Sequence, residues 1–264
     1  MHASQRQALI LQLLGERGFV SFRDLEVQIS GSQATIRRDL ERLAQQGKLV
    51  RLRGGITAIA QDMEAGPSPA TLPPLAGVPF HENVSRNRQQ KEAIGKAAAN
   101  LCSPGEGVMI DGGSTTLQMC PHLAGLNLQV LTNSLHIVAA LIGQQGTRIL
   151  VPSGAVFPEQ NIILSVFGDD GMPRFHAPKL FMGAASVGPQ GLMQADVVLV
   201  AGERRFIERA DTIIIMVDST KFDGPSGNVV CALDEVDTII TDAGLSDATA
   251  QMLERAGVNL IVAG

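Results

Sequence analysis

The chain has no tryptophan and no tyrosine, and its nine phenylalanines are its whole stock of large aromatic rings. Sequence-tolerant binding of single-stranded nucleic acid stacks bases on such rings, so that class of function has little support. Only three cysteines are present, Cys102, Cys120 and Cys231, an odd number without paired spacing. That argues against a disulfide framework and a zinc module, and it fits reduced thiols in a cytoplasmic protein. Cys120-Pro121-His122 is a poor metal site, and neither a metal nor another cofactor is expected. No apolar run approaches the ~18 residues of a membrane span, and the start, Met1 to Arg6, has no signal-peptide core. No internal repeat is visible. With 45% hydrophobic residues, 264 residues can bury a full core without staples, divided into one small domain and a larger one.

Charge is unevenly spread. Residues 1–60 hold nine Lys/Arg and five Asp/Glu, a net +4, whereas the whole chain carries −5. A cationic head on an anionic body points to a polyanionic partner for the head alone. Within the head, Leu9, Ile10, Leu13 and Leu14 have the spacing of a buried helical stripe. Ser21-Phe22-Arg23-Asp24 matches the start signal of a second helix, with Leu25 and Ile29 as its stripe. Gly31 leaves a very short connection to a third helix capped by Ser32, which makes a helix-turn-helix.

In that third helix, at 100° per residue, Leu40 and Leu43 fall within about 40° of Ile36. Ala34, Arg38 and Arg42 lie on the opposite side, flanked by Thr35 and Arg37. Small residues first and arginines after suit a helix entering the DNA major groove: the backbone comes close, and guanidinium groups reach base edges or phosphates. Asp39 and Glu41 would repel phosphate, so they are expected to orient neighbouring arginines. Gly47 offers a C-cap. Leu49-Val50-Arg51-Leu52-Arg53 alternates like an exposed two-stranded wing, with Gly54-Gly55 for its tight turn.

This segment resembles the winged helix-turn-helix of the DeoR (GlpR) family of bacterial transcriptional regulators. The resemblance runs through Ser32-x-x-Thr35-Ile36-Arg37-Arg38-Asp39-Leu40-x-x-Leu43 and Gly47-Lys48-Leu49-x-Arg51-x-x-Gly54-Gly55. It implies a sequence-specific binder of double-stranded operator DNA, usually a repressor of sugar-catabolic genes. The expected duplex-facing set is Arg6, Ser32, Gln33, Ala34, Thr35, Arg37, Arg38, Arg42, Lys48, Arg51 and Arg53.

Residues 61–79, with Gly66-Pro67-Ser68-Pro69 and Pro73-Pro74, read as an extended linker between a 1–60 head and an 80–264 body. The body alternates. Short continuous apolar strands are expected at 108–110, 128–131, 149–151, 180–182, 212–217, 236–240 and 260–262. Helices are expected over 91–101, from 117, up to 142, over 196–210 and from 247. The pattern predicts an α/β fold, a mostly parallel sheet covered on both faces. Such sheets bind ligands beyond the carboxyl ends of their strands. Those ends carry Asp111-Gly112-Gly113-Ser114-Thr115-Thr116, Thr132-Asn133-Ser134, Pro152-Ser153-Gly154, Gly183-Ala184 and Asp218-Ser219-Thr220-Lys221. Glycines, hydroxyls and a helix N-terminus favour phosphate. Glu203-Arg204-Arg205 reads as a solvated or subunit-facing surface. His122, His136 and His176 read as capping or surface residues, and Asp169-Asp170 as a turn.

The body also resembles the DeoR sensor domain, through Lys91-Glu92-x-Ile94, the 111–116 loop, Leu131-Thr-Asn133, Gly191-Leu-Met193, Asp218-Ser-Thr-Lys221 and Ile240-Thr-Asp242. That domain is similar in fold to ribose-5-phosphate isomerase, with catalysis lost. The resemblance implies a phosphorylated sugar or polyol effector: Ser114, Thr115 and Thr116 holding phosphate, Asp111 and Asn133 taking hydroxyls, and Lys221 neutralising charge. Gly112, Gly113, Ser153, Gly154, Gly183 and Asp218 complete the expected effector set. One head makes few contacts, so a homo-oligomer is expected. The alternative, a sugar-phosphate isomerase or deaminase with a fused DNA-binding head, needs a second acid–base partner beside Asp111 or Asp218.

Overall fold

A computed structural model describes residues 3–17, 19–21, 25, 28–29, 31, 33–46, 48–52, 55–57, 75–165, 171–222, 224 and 227–264. The chain divides into two compact units, Met1–Pro73 and Pro74–Gly264. Several expected features lie outside the described residues: the Asp24 and Ser32 helix starts, the Gly47 cap, Arg53-Gly54 of the wing turn, the Pro/Gly-rich stretch before residue 75, and Asp169-Asp170.

In the first unit, α1 (Ala3–Arg17) and α2 (Gln33–Gln45) bury the stripes their spacing predicts. Ile10, Leu13 and Leu14 of α1 join Ile36, Leu40 and Leu43 of α2 in one core with Val20, Leu25, Ile29, Leu49 and Ile56. The Ile29 amide donates to the Leu25 carbonyl at 2.9 Å, one helical turn. Lys48 N donates to Leu43 O at 2.9 Å, closing the end of α2. Three strands, β1 (Phe19–Ser21), β2 (Val50–Leu52) and β3 (Gly55–Thr57), form an antiparallel sheet in the order β1-β3-β2. The wing strands were expected, but β1 was not: Ser21 is its last residue, and the start of the helix expected after Ser21 lies outside the described residues. Val20 sits opposite Ile56 in register and both are buried, so this apolar pair closes the core beneath the wing.

The second unit contains β4 (Gly107–Ile110), β5 (Gln129–Leu131), β6 (Arg148–Leu150), β7 (Ala155–Phe157), β8 (Ile162–Leu164) and β9 (Ala177–Met182). These are followed by β10 (Ser186–Gly188), β11 (Gly191–Gln194), β12 (Ala210–Met216), β13 (Asn228–Cys231), β14 (Thr238–Asp242) and β15 (Asn259–Ala263). Its helices are α3 (Phe80–Asn83), α4 (Arg88–Ala99), α5 (Leu135–Leu141), α6 (Val197–Ile207) and α7 (Asp247–Arg255).

Seven strands form one parallel sheet in the order β15-β14-β12-β9-β4-β5-β6. Its strands are apolar on both faces because both are covered. Along β12 and just beyond it, Ile213, Ile215 and Val217 enter one core with Phe206 of α6 and Leu253 of α7. Ile214 and Met216 enter the other with Ile94 of α4 and Ile137 of α5. The sheet grows from β4 one way to β6 and then, from β9, the other way to β15. That reversal between β4 and β9 leaves a crevice at the strand ends.

Three differences from the sequence reading have physical causes. The helix expected from Leu117 is a 3-10 helix, Thr116–His122, with Pro121 inside it, which has no N–H to extend an α-helical ladder. The strand expected at 236–240 falls at 238–242, because Val236 N is tied back to Leu233 O at 3.1 Å. The β7-β8 hairpin and the antiparallel β10-β11-β13 sheet were not foreseen, since three or four residues carry too little periodicity.

Candidate functional site

At the β4/β9 reversal lies a cavity of about 370 Å³, within the range of small-molecule sites. The loop after β4 forms one wall. Asn133, at the end of β5, fixes that loop: its Nδ2 donates to Asp111 Oδ1 and its Oδ1 accepts from Gly112 N, both at 2.8 Å. Gly112 is required here, since a Cβ would stand 2.5 Å from Ile162 Cγ2 and 3.1 Å from Asn133 Oδ1. The Thr116 hydroxyl donates within the loop to Asp111 O (2.8 Å) and Gly113 O (3.0 Å). Gly113, Ser114 and Thr115 remain on the cavity surface.

The opposite wall carries the cation. Lys221 ends a 3-10 turn, Ser219–Lys221, whose first amides are held by carboxylates. Asp218 Oδ1 accepts from Thr220 N at 3.2 Å and from Asn87 Nδ2 at 2.9 Å. Asp242 Oδ1 accepts from Ser219 N at 2.7 Å. Burial opposes ionisation of Asp242, but the Ser219 and Gly244 amides outweigh it and hold the carboxyl below its ordinary value. Asp218 and Asp242 therefore shape the turn that presents Lys221.

A strap between the two units' boundary and α4 forms a third wall through Ala76, Gly77, Val78 and Asn83. It is tied down along its length. Ala76 N donates to Asp196 Oδ2 (2.9 Å), Gln160 Nε2 to Val78 O (3.0 Å) and Phe80 N to Glu159 O (2.9 Å). The Phe80 ring stacks on His136 with centroids 4.1 Å apart. Buried Lys91 donates to Asn83 O at 2.5 Å. Burial pulls the Lys91 pKa down to about 8; Asp218 works against that fall, and Lys221 and Arg86 add to it.

The fourth wall is acidic. Glu203 lines the cavity with Asp111, and Gln194 Nε2 donates to Glu203 Oε1 at 2.6 Å. Burial pushes Asp111 up to about 6, with hydrogen bonds from Asn133 and Gly112 holding it down. Burial, reinforced by the charge of Asp111, pushes Glu203 well above its ordinary value, against the hydrogen bond from Gln194.

Of the expected effector residues, Asp111, Gly112, Gly113, Ser114, Thr115, Asn133, Gly183 and Lys221 line this cavity. Thr116, Ser153, Gly154 and Asp218 do not. Thr116 is fully buried and bonds its own loop. Asp218 acts behind Lys221. Ser153 bonds Gly171 through both its amide (2.8 Å) and its hydroxyl (3.1 Å). Gly154 packs on the Leu164 backbone so closely that a Cβ would overlap it. The pair Ser153-Gly154 is therefore a structural crossing. The helix N-terminus expected after the loop is that of a 3-10 helix, not of an α-helix.

Asn83, Gln160, Gln194 and Glu203 were missed. For Glu203 a signal existed: Leu199, Glu203 and Phe206 are spaced i, i+4, i+7 and share the inward face of α6. The expected Glu203-Arg204-Arg205 surface is split, with Glu203 buried and Arg204 paired to Glu235 at 2.7 Å.

On the head, Gln33, Ala34, Arg37, Arg38, Arg42 and Lys48 are exposed, and Thr35 is half-buried. Arg6 is turned inward, its Nε 2.7 Å from Asp39 Oδ2. Asp39 thus orients an arginine of α1 rather than its neighbours Arg37 and Arg38. Arg51 lies on β2, and Ser32 and Arg53 are outside the described residues.

Comparison with known proteins finds two matching domain models. A DeoR-like helix-turn-helix domain matches residues 6–62, and the DeoR C terminal sensor domain matches residues 86–243. The HTH-type transcriptional regulator UlaR of Shigella dysenteriae serotype 1 (strain Sd197) is 28% identical over 261 residues, 99% of each chain. UlaR of Escherichia coli O1:K1 / APEC is likewise 28% identical over 99% of each chain. Solved structures that match include ribose 5-phosphate isomerase A from Methanocaldococcus jannaschii, with TM-score 0.38, 14% identity, and coverage of 52% of this chain and 55% of that one. The Probable sor Operon Regulator from Shigella flexneri matches with TM-score 0.36, 11% identity, and coverage of 53% and 78%. With both domain models matched and the larger one spanning more than half of its length, the chain belongs to the DeoR family of helix-turn-helix transcriptional regulators.

Proposed function

We propose that this protein represses carbohydrate or polyol catabolic genes and that a phosphorylated sugar in the switch-point cavity sets its affinity for operator DNA. In this reading residues 1–60 grip the duplex, 61–79 connect, and 80–264 sense. The observation that carries it is the meeting of the Gly112–Thr115 loop and Lys221 in one cavity. Backbone amides, two hydroxyls and an ammonium around 370 Å³ make a site for a small phosphate ester. The protein acts as a homo-oligomer, because paired heads on paired half-sites multiply the affinity of one.

The strap provides the coupling. Ala76, Gly77 and Val78 touch the cavity and belong to the 61–79 connection that leads to the head. A ligand that draws them in changes the freedom of the connection to the DNA-binding unit. About 1–3 kcal/mol of such coupling changes operator affinity 5–150-fold.

Gel-shift titration of promoter fragments with a panel of sugar phosphates tests the reading. One of them is expected to release the protein, and Phe80→Ala, which removes the strap's stacking anchor, is expected to keep ligand binding and blunt release. Indifference to every sugar phosphate would overturn it.

The second reading, an isomerase or deaminase, gains one observation: Asp111 and Glu203 share the cavity. Against it, relatives aligned over 99% of the chain are named transcriptional regulators. Turnover of ribose 5-phosphate would favour it.

A further inference from the structure

Three of the four cavity walls are explained by a phosphate ester and by coupling to the head. The Glu203 wall is not. Its Oε1 is held by Gln194 Nε2 at 2.6 Å, while Oε2, shut off from solvent, has no hydrogen-bond partner among the described residues. The residue is 5% exposed, and the rest of its helix face is apolar, Leu199 and Phe206. Its charged neighbour is Asp111, of the same sign. An unmet buried carboxyl oxygen destabilises a fold. Arg204, one residue on, faces Glu235 instead and does nothing to relieve it. Such a group in a cavity wall is explained when a ligand completes it.

We propose that Glu203 selects among effectors by the group they set against it, accepting a hydroxyl of the bound sugar phosphate and rejecting a carboxylate in the same place. The proposal rests on the effector reading above and narrows its ligand class to neutral polyol, aldose or ketose phosphates. A hydroxyl both donates and accepts, so it satisfies the free oxygen in either protonation state of the acid. A carboxylate there has no proton to donate, so it can meet the free oxygen only while Glu203 itself holds the proton. It also adds a third acid beside Glu203 and Asp111, in a wall whose amide donor, Gln194, is already engaged. Gln194 fixes the carboxyl plane and is a positioning residue for Glu203.

The test uses calorimetric titration of the full chain with two matched pairs of probes: ribitol 5-phosphate against ribonate 5-phosphate, and erythritol 4-phosphate against erythronate 4-phosphate. Each pair differs only in the group at the end remote from phosphate, and inorganic phosphate is the common control. The wild type should favour the polyol member of at least one pair by about ten-fold. Glu203→Gln keeps an acceptor for Gln194 and turns an amide donor toward the cavity. It should raise affinity for the acid member about ten-fold, equivalent to about 1.4 kcal/mol, with inorganic phosphate unchanged. Glu203→Met, which offers neither donor nor acceptor, should weaken the polyol phosphates about ten-fold. If inorganic phosphate binds but Glu203→Gln keeps the wild-type preference, the assignment of Glu203 falls and the effector reading stands. If no phosphate compound binds the wild type, both fall.

Discussion

Arg6 of the first helix and Asp39 of the helix that carries the basic face meet at 2.7 Å, Nε to Oδ2, with both side chains almost out of solvent. Gln7 Nε2 adds a hydrogen bond to Asp39 Oδ1 at 3.1 Å. One acid at the edge of the buried stripe of α2 is therefore used to lock α1 onto α2. Asp39→Ala should destabilise the head, because it removes the carboxylate paired with a nearly buried guanidinium. Replacing both residues, Arg6→Met with Asp39→Leu, should recover most of that loss. Urea unfolding followed by circular dichroism checks both, there being no tryptophan or tyrosine to report by fluorescence.

Arg37 and Arg38 are exposed on the same helix, and their removal should do the reverse. Arg37→Ala or Arg38→Ala should leave the melting temperature unchanged and weaken operator binding about ten-fold at moderate salt, one such contact being worth about 1–3 kcal/mol. Where the lost contact is to phosphate, the slope of log K against log salt should become shallower by about 0.9. Anisotropy titrations of a labelled operator across a salt series separate this from a folding defect.

The contrast between Arg6 and Arg38 marks how far the sequence was legible. Helical phase assigned Ile36, Leu40 and Leu43 to the core and Arg38 to the surface, because phase depends only on spacing along one helix. It could not pair Arg6 with Asp39, 33 positions apart, since that contact exists only after two helices pack. The sensor repeats the lesson. Parallel strands announced themselves as continuous apolar runs, and their glycine-rich ends located the cavity. Ser153-Gly154 had the same composition as a ligand loop, yet it closes against Gly171 and Leu164. Composition alone does not distinguish a glycine that admits a ligand from one that admits another backbone. Glu203 was masked by Arg204 and Arg205, a charge run that hides an inward phase.

Gly112 is the glycine that admits the site. A Cβ there would press on Ile162 Cγ2, on a branch of the side chain that has no freedom to swing away, and on the Asn133 amide that holds the loop. Gly112→Ala should destabilise the sensor by about 1–3 kcal/mol and abolish the effector's influence on operator binding. Gly183→Ala, whose Cβ would find its nearest neighbour at 3.9 Å, should fold normally and intrude only on the ligand. Thermal melts with and without sugar phosphate, set beside gel shifts, distinguish the two.

Asp111 makes the sensor's stability depend on pH in a direction opposite to that of an ion-paired acid. Its ordinary pKa of 3.8 rises to about 6 in the folded protein, so the folded state takes up the proton first as pH falls. Its contribution to stability is therefore complete below about 3.8 and is lost as pH rises through about 6, a swing of at most about 3 kcal/mol. Glu203 is displaced in the same direction, so the two acids together should make the ligand-free sensor more stable at pH 5 than at pH 7. Asp111→Asn keeps an acceptor for Asn133 Nδ2 and removes the titration. Its stability should vary less between pH 4 and 7 and exceed that of the wild type at pH 7, read by urea unfolding at each pH. A wild type that loses stability on going from pH 7 to pH 5 would show that Asp111 is not buried as an acid in this way. A gain at pH 5 that survives unchanged in Asp111→Asn would assign the effect to Glu203 alone.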